Sequence, residues 1–261
     1  MAKFKAELSR RKLLLSAAQG GALLLLSGCE KFFNGLQQNK KFVSLLESAE
    51  GANRRVQRFL TGRNKLAREF TEQDISRIFK PNGNPPPVTM DYMGDAANQW
   101  SQWRLKISGL IQEPADLTLT EIKSMPHRIQ ITRHDCVEGW SAIAKWRGVP
   151  LAEILKRVQP KPDAQYVVFH CMDTDEDGQN YYESIDLMDA NHPQTILAYE
   201  MNDRPLPVAH GAPLRLRVEN QLGYKHAKYI RGIELVANLK TIRGGEGGYW
   251  EDQGYEWFAG I

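Results

Sequence analysis

Eight residues, Lys80-Pro81-Asn82-Gly83-Asn84-Pro85-Pro86-Pro87, hold four prolines and split the chain into two parts that fold by different rules. Proline removes a backbone donor and pushes the preceding residue out of the helical region, so no helix crosses this stretch. Before it, Phe42, Leu45 and Leu46, then Val56, Phe59 and Leu60, then Ile75, Ile78 and Phe79 recur at three- and four-residue spacing. That period predicts two or three amphipathic helices between Lys40 and Phe79. After it come the β-like runs RLKISGLI, RIQITRHDC, YVVFHCMD, QTILAYEMN, LRLRVEN and IRGIELVANL, interleaved with the helical signals LTLTEIKSM and PLAEILKRV. The mixture predicts an α+β body over residues 81–261 with a mixed or antiparallel sheet. No internal repeat or low-complexity tract interrupts it.

The division also separates charge. Residues 30–80 carry 11 Lys and Arg against 6 Asp and Glu, and residues 81–261 carry 18 against 24, so the formal net charge of +3 conceals a basic helical arm on an acidic body. The arm suits anionic lipid headgroups, or is a solvated helix face without a partner. With 42% hydrophobic residues in 261, the body can bury a sizeable core without cross-links.

The first 29 residues read as an address. In LSRRKLLLSAAQGGALLLLSGC a basic stretch precedes an apolar run that ends at small residues beside a cysteine. Ser9-Arg10-Arg11-Lys12-Leu13-Leu14 is like a twin-arginine export signal, with Leu15 where a lysine is common. Leu26-Ser27-Gly28-Cys29 resembles a bacterial lipobox, which would make Cys29 a lipidated N-terminus. The apolar run is shorter than the ~20 residues of a spanning helix and is broken by Gln19, Gly20 and Gly21. A periplasmic, lipid-anchored protein is therefore expected. The twin-arginine route carries proteins already folded around a cofactor.

With Cys29 assigned to lipid, Cys136 and Cys171 remain, and in an oxidising compartment an even pair suggests a disulfide. Cys171, in VVFHCMD, equally suits a small buried apolar side chain. Cys136 follows a strand and precedes Glu138 and a Gly139 turn, where a thiolate can be presented to a pocket as a soft metal ligand or, with a nearby imidazole such as His134, as a nucleophile. Asp173-Thr174-Asp175-Glu176-Asp177-Gly178 imitates the start of a calcium loop, but its twelfth position is Ser184 and no helix is expected on either side, so a solvated turn is predicted. The aromatic tail GGYWEDQGYEWFAGI reads as a loop packed back on the body by Trp250, Tyr255, Trp257 and Phe258.

CVEGWS followed by KWRGVPLAEIL resembles the molybdenum-cofactor oxidoreductases related to sulfite oxidase, including the bacterial protein-methionine-sulfoxide reductases. ILAYEMNDRPLPVAHGAPLRLRV, YKHAKYIRGIELV and KPNGNPPPV are similar to further stretches of that family, in its order, from about Ile78 to the C-terminus. The resemblance implies a sulfite-oxidase-type molybdopterin-binding domain and a molybdenum-molybdopterin cofactor. It implies Cys136 as the thiolate on molybdenum, and Asn82, His210, Arg215, His226, Ala227 and Lys228 as cofactor-binding residues. Tyr181 matches the active-site tyrosine, with Tyr182 the alternative if the register slips. A phosphate-bearing pterin wants a fixed cation, a planar guanidinium and backbone donors, which Lys228, Arg215 and a loop at Ala227 can supply.

The chain departs from sulfite-oxidising members where they place arginines. Pro81, Trp140 and Ser141 stand at those positions, and Arg133 and His134 precede the cysteine rather than follow it. An unpaired dianion in a pocket costs several kcal/mol of desolvation. Glu138 and Trp140 at the rim instead suit a neutral substrate. The expectation is two-electron oxygen-atom transfer, reducing a sulfoxide. The alternatives are a sulfite dehydrogenase, or a non-catalytic lipoprotein with a Cys136–Cys171 disulfide. The chain has no haem or iron–sulfur motif of its own, so its expected partner is a haem protein, a membrane cytochrome b or a soluble cytochrome c, and not a nucleic acid.

Overall fold

The computed structural model describes residues 65–261 and the single helical position Val56. The export signal, the lipobox with Cys29 and the first helical faces of the arm lie outside the described residues. The described residues 65–261 belong to one compact unit.

Between residues 65 and 80 the expected helix is absent, and one short 3-10 turn, Glu72–Asp74, is the regular structure found there. The backbone groups a helix would use internally are taken up elsewhere. Phe70 N–H donates to Ile131 O (2.8 Å), Ser76 N–H donates to Ile143 O (3.0 Å), and Ile143 N–H donates to Ser76 Oγ (2.9 Å). Of the apolar positions that suggested a helix, Phe79 packs on Trp146 while Ile78 is 83% exposed. The segment expected to belong to a separate arm thus lies along the body, within the same compact unit.

The body is built from two five-stranded sheets. One has the order β2 (Ala115–Thr118), β1 (Arg104–Gly109), β10 (Ile230–Val236), β5 (Tyr166–Thr174), β6 (Asn180–Asp186). Its β1–β10 pairing is parallel and its other pairings are antiparallel, so the sheet is mixed as expected. The other runs β3 (Arg128–Asp135), β4 (Ser141–Pro150), β7 (Ile196–Met201), β8 (Arg204–Pro205), with β9 (Arg215–Arg217) also paired to β7. The main core draws Leu105, Ile107, Val167, Phe169, Ile233 and Leu235 from the first sheet and Val149, Leu197 and Leu216 from the second.

Among the described residues, helix α1 (Met90–Ala97) precedes the first strand, and three short helices connect later ones: α2 (Leu119–Ser124), α3 (Leu151–Val158) and α4 (Leu187–Ala190). Helix α2 starts at a capping box, with Glu121 N–H donating to Thr118 Oγ1 (3.0 Å) and Thr118 N–H donating to Glu121 Oε2 (2.8 Å). Helix α3 buries Leu151, Ile154, Leu155 and Val158, one stripe at helical spacing, each contributing roughly 1.5–3 kcal/mol.

Strand alternation divides the second sheet's two faces. Leu216 enters the main core, while its neighbours Arg215 and Arg217 turn to the opposite face. There Ala144, Trp146, Ile196 and Ala198 form a smaller cluster with Phe79 against it. Both guanidinium groups lie over the Trp146 ring, at 5.1 and 4.5 Å from its centre.

Candidate active site

Cys136 sits on the loop between β3 and β4, whose pairing closes with Asp135 opposite Ser141. Gly139 N–H donates to Cys136 O (3.0 Å), Cys136 N–H donates to Trp140 O (2.9 Å), and Gly139 adopts φ +84°. A tight turn followed by a left-handed glycine makes a bulged three-residue loop, and it leaves the half-buried Cys136 side chain facing a cavity of about 120 Å³. Burial pushes the thiol pKa up, partly countered by the Glu138 backbone N–H and by Lys80, while the Glu138 charge adds to the rise. Cys171 is a second free thiol on β5 and does not line this cavity, so the disulfide alternative is not the arrangement of this structure.

The cavity brings together Asn82, Cys136, Glu138, Tyr181, His226 and Lys228 of the residues expected from sequence. Tyr181 donates its hydroxyl to Tyr224 O (2.6 Å), whereas Tyr182, the alternative, turns its hydroxyl to Asp252. Trp140 does not line the cavity. Its Nε1–H donates to Glu138 Oε2 (2.9 Å), an oxygen that also meets Lys80 Nζ at 3.0 Å, and these contacts hold the Glu138 carboxyl below its usual range.

Eight lining residues are not among the expected site residues: Gly83, Asn84, Val137, Gly223 and Tyr224 beside expected ones, and Asp173, Trp250 and Tyr255. The sequence places Asp173 in a solvated turn. In the structure it is the buried end of β5, 2% exposed, and only the turn beyond it is exposed at Glu176, Asp177 and Gly178. Burial raises the Asp173 pKa to about 6, against the pull of Lys228. Its place in the β5 run was visible in the sequence. The acidic residues after it carry the stronger signal, that of an exposed turn.

His210, Arg215 and Ala227 stand outside the cavity lining. Arg215 is fully buried, donates one N–H to His210 O (3.0 Å), and leaves Nε and Nη2 without a partner. Burial, then the adjacent Arg217, lowers its pKa to about 9. Arg217 is satisfied, donating to both Glu219 oxygens (2.9 and 2.6 Å) and to His134 Nδ1 (3.0 Å). Lys228 donates to Asn84 O (2.8 Å), and burial lowers its pKa to about 8. The backbone donor expected at Ala227 points to Lys225 O (3.2 Å) instead of standing free.

Two more buried groups are half satisfied. His226 Nε2 donates to Val218 O and Gln221 O, which makes Nδ1 an acceptor with no partner, and burial keeps the ring neutral. Asn82 donates to Gly223 O (3.4 Å) and leaves Oδ1 unpartnered. Unmet buried groups of this kind cost about 1–3 kcal/mol each, so a cluster of them indicates a place made for a ligand. The fully buried guanidinium with two free donors calls for anionic oxygen in particular. Among the described residues no three His, Cys, Asp or Glu side chains gather as a metal site.

The two sheets thus carry a thiol presented by the β3–β4 loop and a buried guanidinium with two unmet donors. The model of the oxidoreductase molybdopterin binding domain matches residues 93–241, and the chain belongs to that family. It is an oxidoreductase, and its molybdopterin-binding domain is of the mixed α+β class. It is 39% identical over 254 residues, 97% of this chain and 88% of the relative, to a protein of Azospira oryzae provisionally named a protein-methionine-sulfoxide reductase subunit. It is 38% identical over 149 residues to the protein-methionine-sulfoxide reductase catalytic subunit of Xanthomonas campestris, a match covering 53% of this chain and 46% of that relative. The sulfane dehydrogenase of Paracoccus pantotrophus aligns at a TM-score of 0.48 with 20% identity, over 53% of this chain and 39% of its own.

Proposed function

We propose that this protein is a periplasmic molybdenum-molybdopterin enzyme that reduces a sulfoxide: R–S(O)–R′ + 2 e⁻ + 2 H⁺ → R–S–R′ + H₂O. The observation that carries the cofactor half is the buried Arg215 with two unpartnered donors, on the same chain segment that leads to Lys228 and His226. In this reading Arg215, Lys228 and His210 hold the anionic side of the cofactor, while Asn82 and His226 offer their free acceptors to N–H groups of the pterin. Ala227 contributes backbone position rather than a donor, and Cys136 supplies the one protein sulfur to molybdenum. The bound cofactor supplies the two-electron oxygen-atom exchange.

The chain's own residues set the substrate. The cavity lining carries two acids, Glu138 and Asp173, against one base, Lys228, which is already engaged by Asn84 O. A dianion such as sulfite gains no compensating cation there, whereas a neutral sulfoxide needs none. Tyr181 presents its ring and hydroxyl at the cavity, and Trp140 fixes Glu138 rather than touching substrate. The names of the two relatives support the same choice over sulfite oxidation.

The two electrons come from a haem protein partner, and the twin-arginine-like and lipobox sequences support export with a lipid anchor at Cys29. Among the described residues no helix is long and apolar enough to cross a membrane. The test is protein purified from a molybdenum-competent host, assayed for metal and for both reactions. Stoichiometric molybdenum, and dye oxidation by sulfoxides faster than sulfite-dependent dye reduction, are expected. Absence of molybdenum, or the reverse ranking, overturns the reading.

A further inference from the structure

Resting on the sulfoxide reading, we propose that residues 249–257 form the substrate-selecting wall of the site. In this arrangement the stacked rings of Trp250 and Tyr255 pack against the apolar arm of a methionine sulfoxide side chain, and the buried Lys225–Glu183–Glu251 cluster holds that wall in place.

The cavity lining contains an aromatic side as well as a polar one. Tyr181, Tyr249, Trp250, Tyr255 and Tyr224 form an unbroken series of ring contacts, with centres 5.2–5.5 Å apart, and Trp250 and Tyr255 are stacked at 29°. Four of the five line the cavity; Tyr249 stands behind and donates its hydroxyl to Asp175 Oδ2 (3.0 Å). Aromatic rings attract polarizable sulfur and offer area to a methyl or methylene group without demanding charge. Trp140, the tryptophan beside Cys136, is turned away to Glu138, so the tryptophan at the cavity is Trp250 of the C-terminal segment.

That segment is anchored rather than laid on the surface. Lys225 Nζ donates to the carboxylates of both Glu183 and Glu251, and all three side chains are fully buried. Each is a close neighbour in sequence of a lining residue: Glu183 lies two after Tyr181, Lys225 lies between Tyr224 and His226, and Glu251 follows Trp250. One buried cluster therefore ties together three parts of the cavity wall. Lys225 is the one cation between the two carboxylates, so it bridges the three segments, and without it two buried carboxylates would face each other uncompensated. Trp257 Nε1–H, donating to Ser184 Oγ (2.8 Å), fixes the far end of the segment.

The experiment uses the full molybdenum-loaded chain with reduced dye as electron donor, comparing wild type with Trp250→Ala, Tyr255→Ala, Trp250→Phe and Glu251→Gln. Metal content is measured alongside kcat and KM for methionine sulfoxide and dimethyl sulfoxide. Expected are unchanged molybdenum, KM for methionine sulfoxide raised about tenfold in the two alanine variants, and kcat within about twofold. Dimethyl sulfoxide, with no side-chain arm to pack, should show a KM change under about threefold, Trp250→Phe should restore most of the affinity, and Glu251→Gln should raise KM toward the alanine values. Unchanged KM in the alanine variants overturns the wall, as does equal loss for both sulfoxides. Trp250→Leu keeps the volume without the ring; loss of molybdenum in both it and the alanine variants makes the segment cofactor framework and also overturns the proposal. A wild type that reduces no sulfoxide overturns the parent reading instead, and the two failures are thereby told apart.

Discussion

Gly223 lies so close to His134 that a β-carbon on it would stand 2.4 Å from the imidazole ring. The contact joins the loop carrying Tyr224, Lys225 and His226 to β3, two residues before Cys136, and Gly223 O also accepts from Asn82 Nδ2. Three separate stretches meet at one residue without a side chain. Gly223→Ala must push the loop off the strand, an overpacking strain of about 1–3 kcal/mol. Thermal unfolding of the variant should shift down by several degrees, and its molybdenum content should fall well below that of wild type.

Arg215 yields a prediction with opposite signs in two states. Without an anion beside it, a buried guanidinium with two unmet donors opposes folding, and Arg215→Met removes that opposition while filling similar volume. Urea unfolding of cofactor-free protein should find the variant as stable as wild type or more so. The same variant should retain little or no molybdenum when produced in a competent host.

The two cysteines should part company. Cys136→Ser changes a half-buried side chain on a loop, so its unfolding midpoint should stay within about a degree while sulfoxide reduction falls by at least about 10³-fold. Cys171→Ala empties part of the main core and should cost about 1–2 kcal/mol, with activity per bound molybdenum unchanged. Equal losses in both would contradict the separation of their environments.

Much of this arrangement was legible in the residues. Runs of β-branched and aromatic residues located β1, β3, β5, β7 and β10, and the apolar stripe of α3 appeared at its correct spacing. Strand β4 escaped because SAIAKWRGVP places small alanines and charged residues where a strong strand signal needs β-branched or aromatic ones, although Ala142, Ala144 and Trp146 all turn inward. The helical period around Ile75 misled because Phe70 and Ser76 bond to the β3–β4 hairpin, a non-local pairing that no local pattern reports. The same limit hid Trp250 and Tyr255. A tail rich in aromatic residues signals packing, and only the fold shows that the surface it packs around is a cavity.

Acid should test His210, partly buried, and His226, buried, in the cofactor-free protein. Burial, then the neighbouring Arg215 and Lys228, lowers the His210 pKa to about 4, and burial holds His226 well below its usual value. In the unfolded chain both titrate near 6.5. Above that pH neither state binds the proton, and their contribution to stability is complete. As pH falls from 6.5 toward 4 the unfolded chain takes up protons that the folded chain refuses, so stability is lost. Asp173 works in the other direction: its pKa is raised from 3.8 to about 6, so its contribution grows as pH falls through the same window. The separable prediction is therefore a difference between proteins. His210→Gln and His226→Gln should each lose less stability than wild type between pH 7 and 4.5 in urea unfolding, and Asp173→Asn should lose more. Bound cofactor, by setting an anion beside Arg215 and Lys228, relieves the repulsion those cations exert on His210, and should flatten the wild-type pH dependence toward that of His210→Gln.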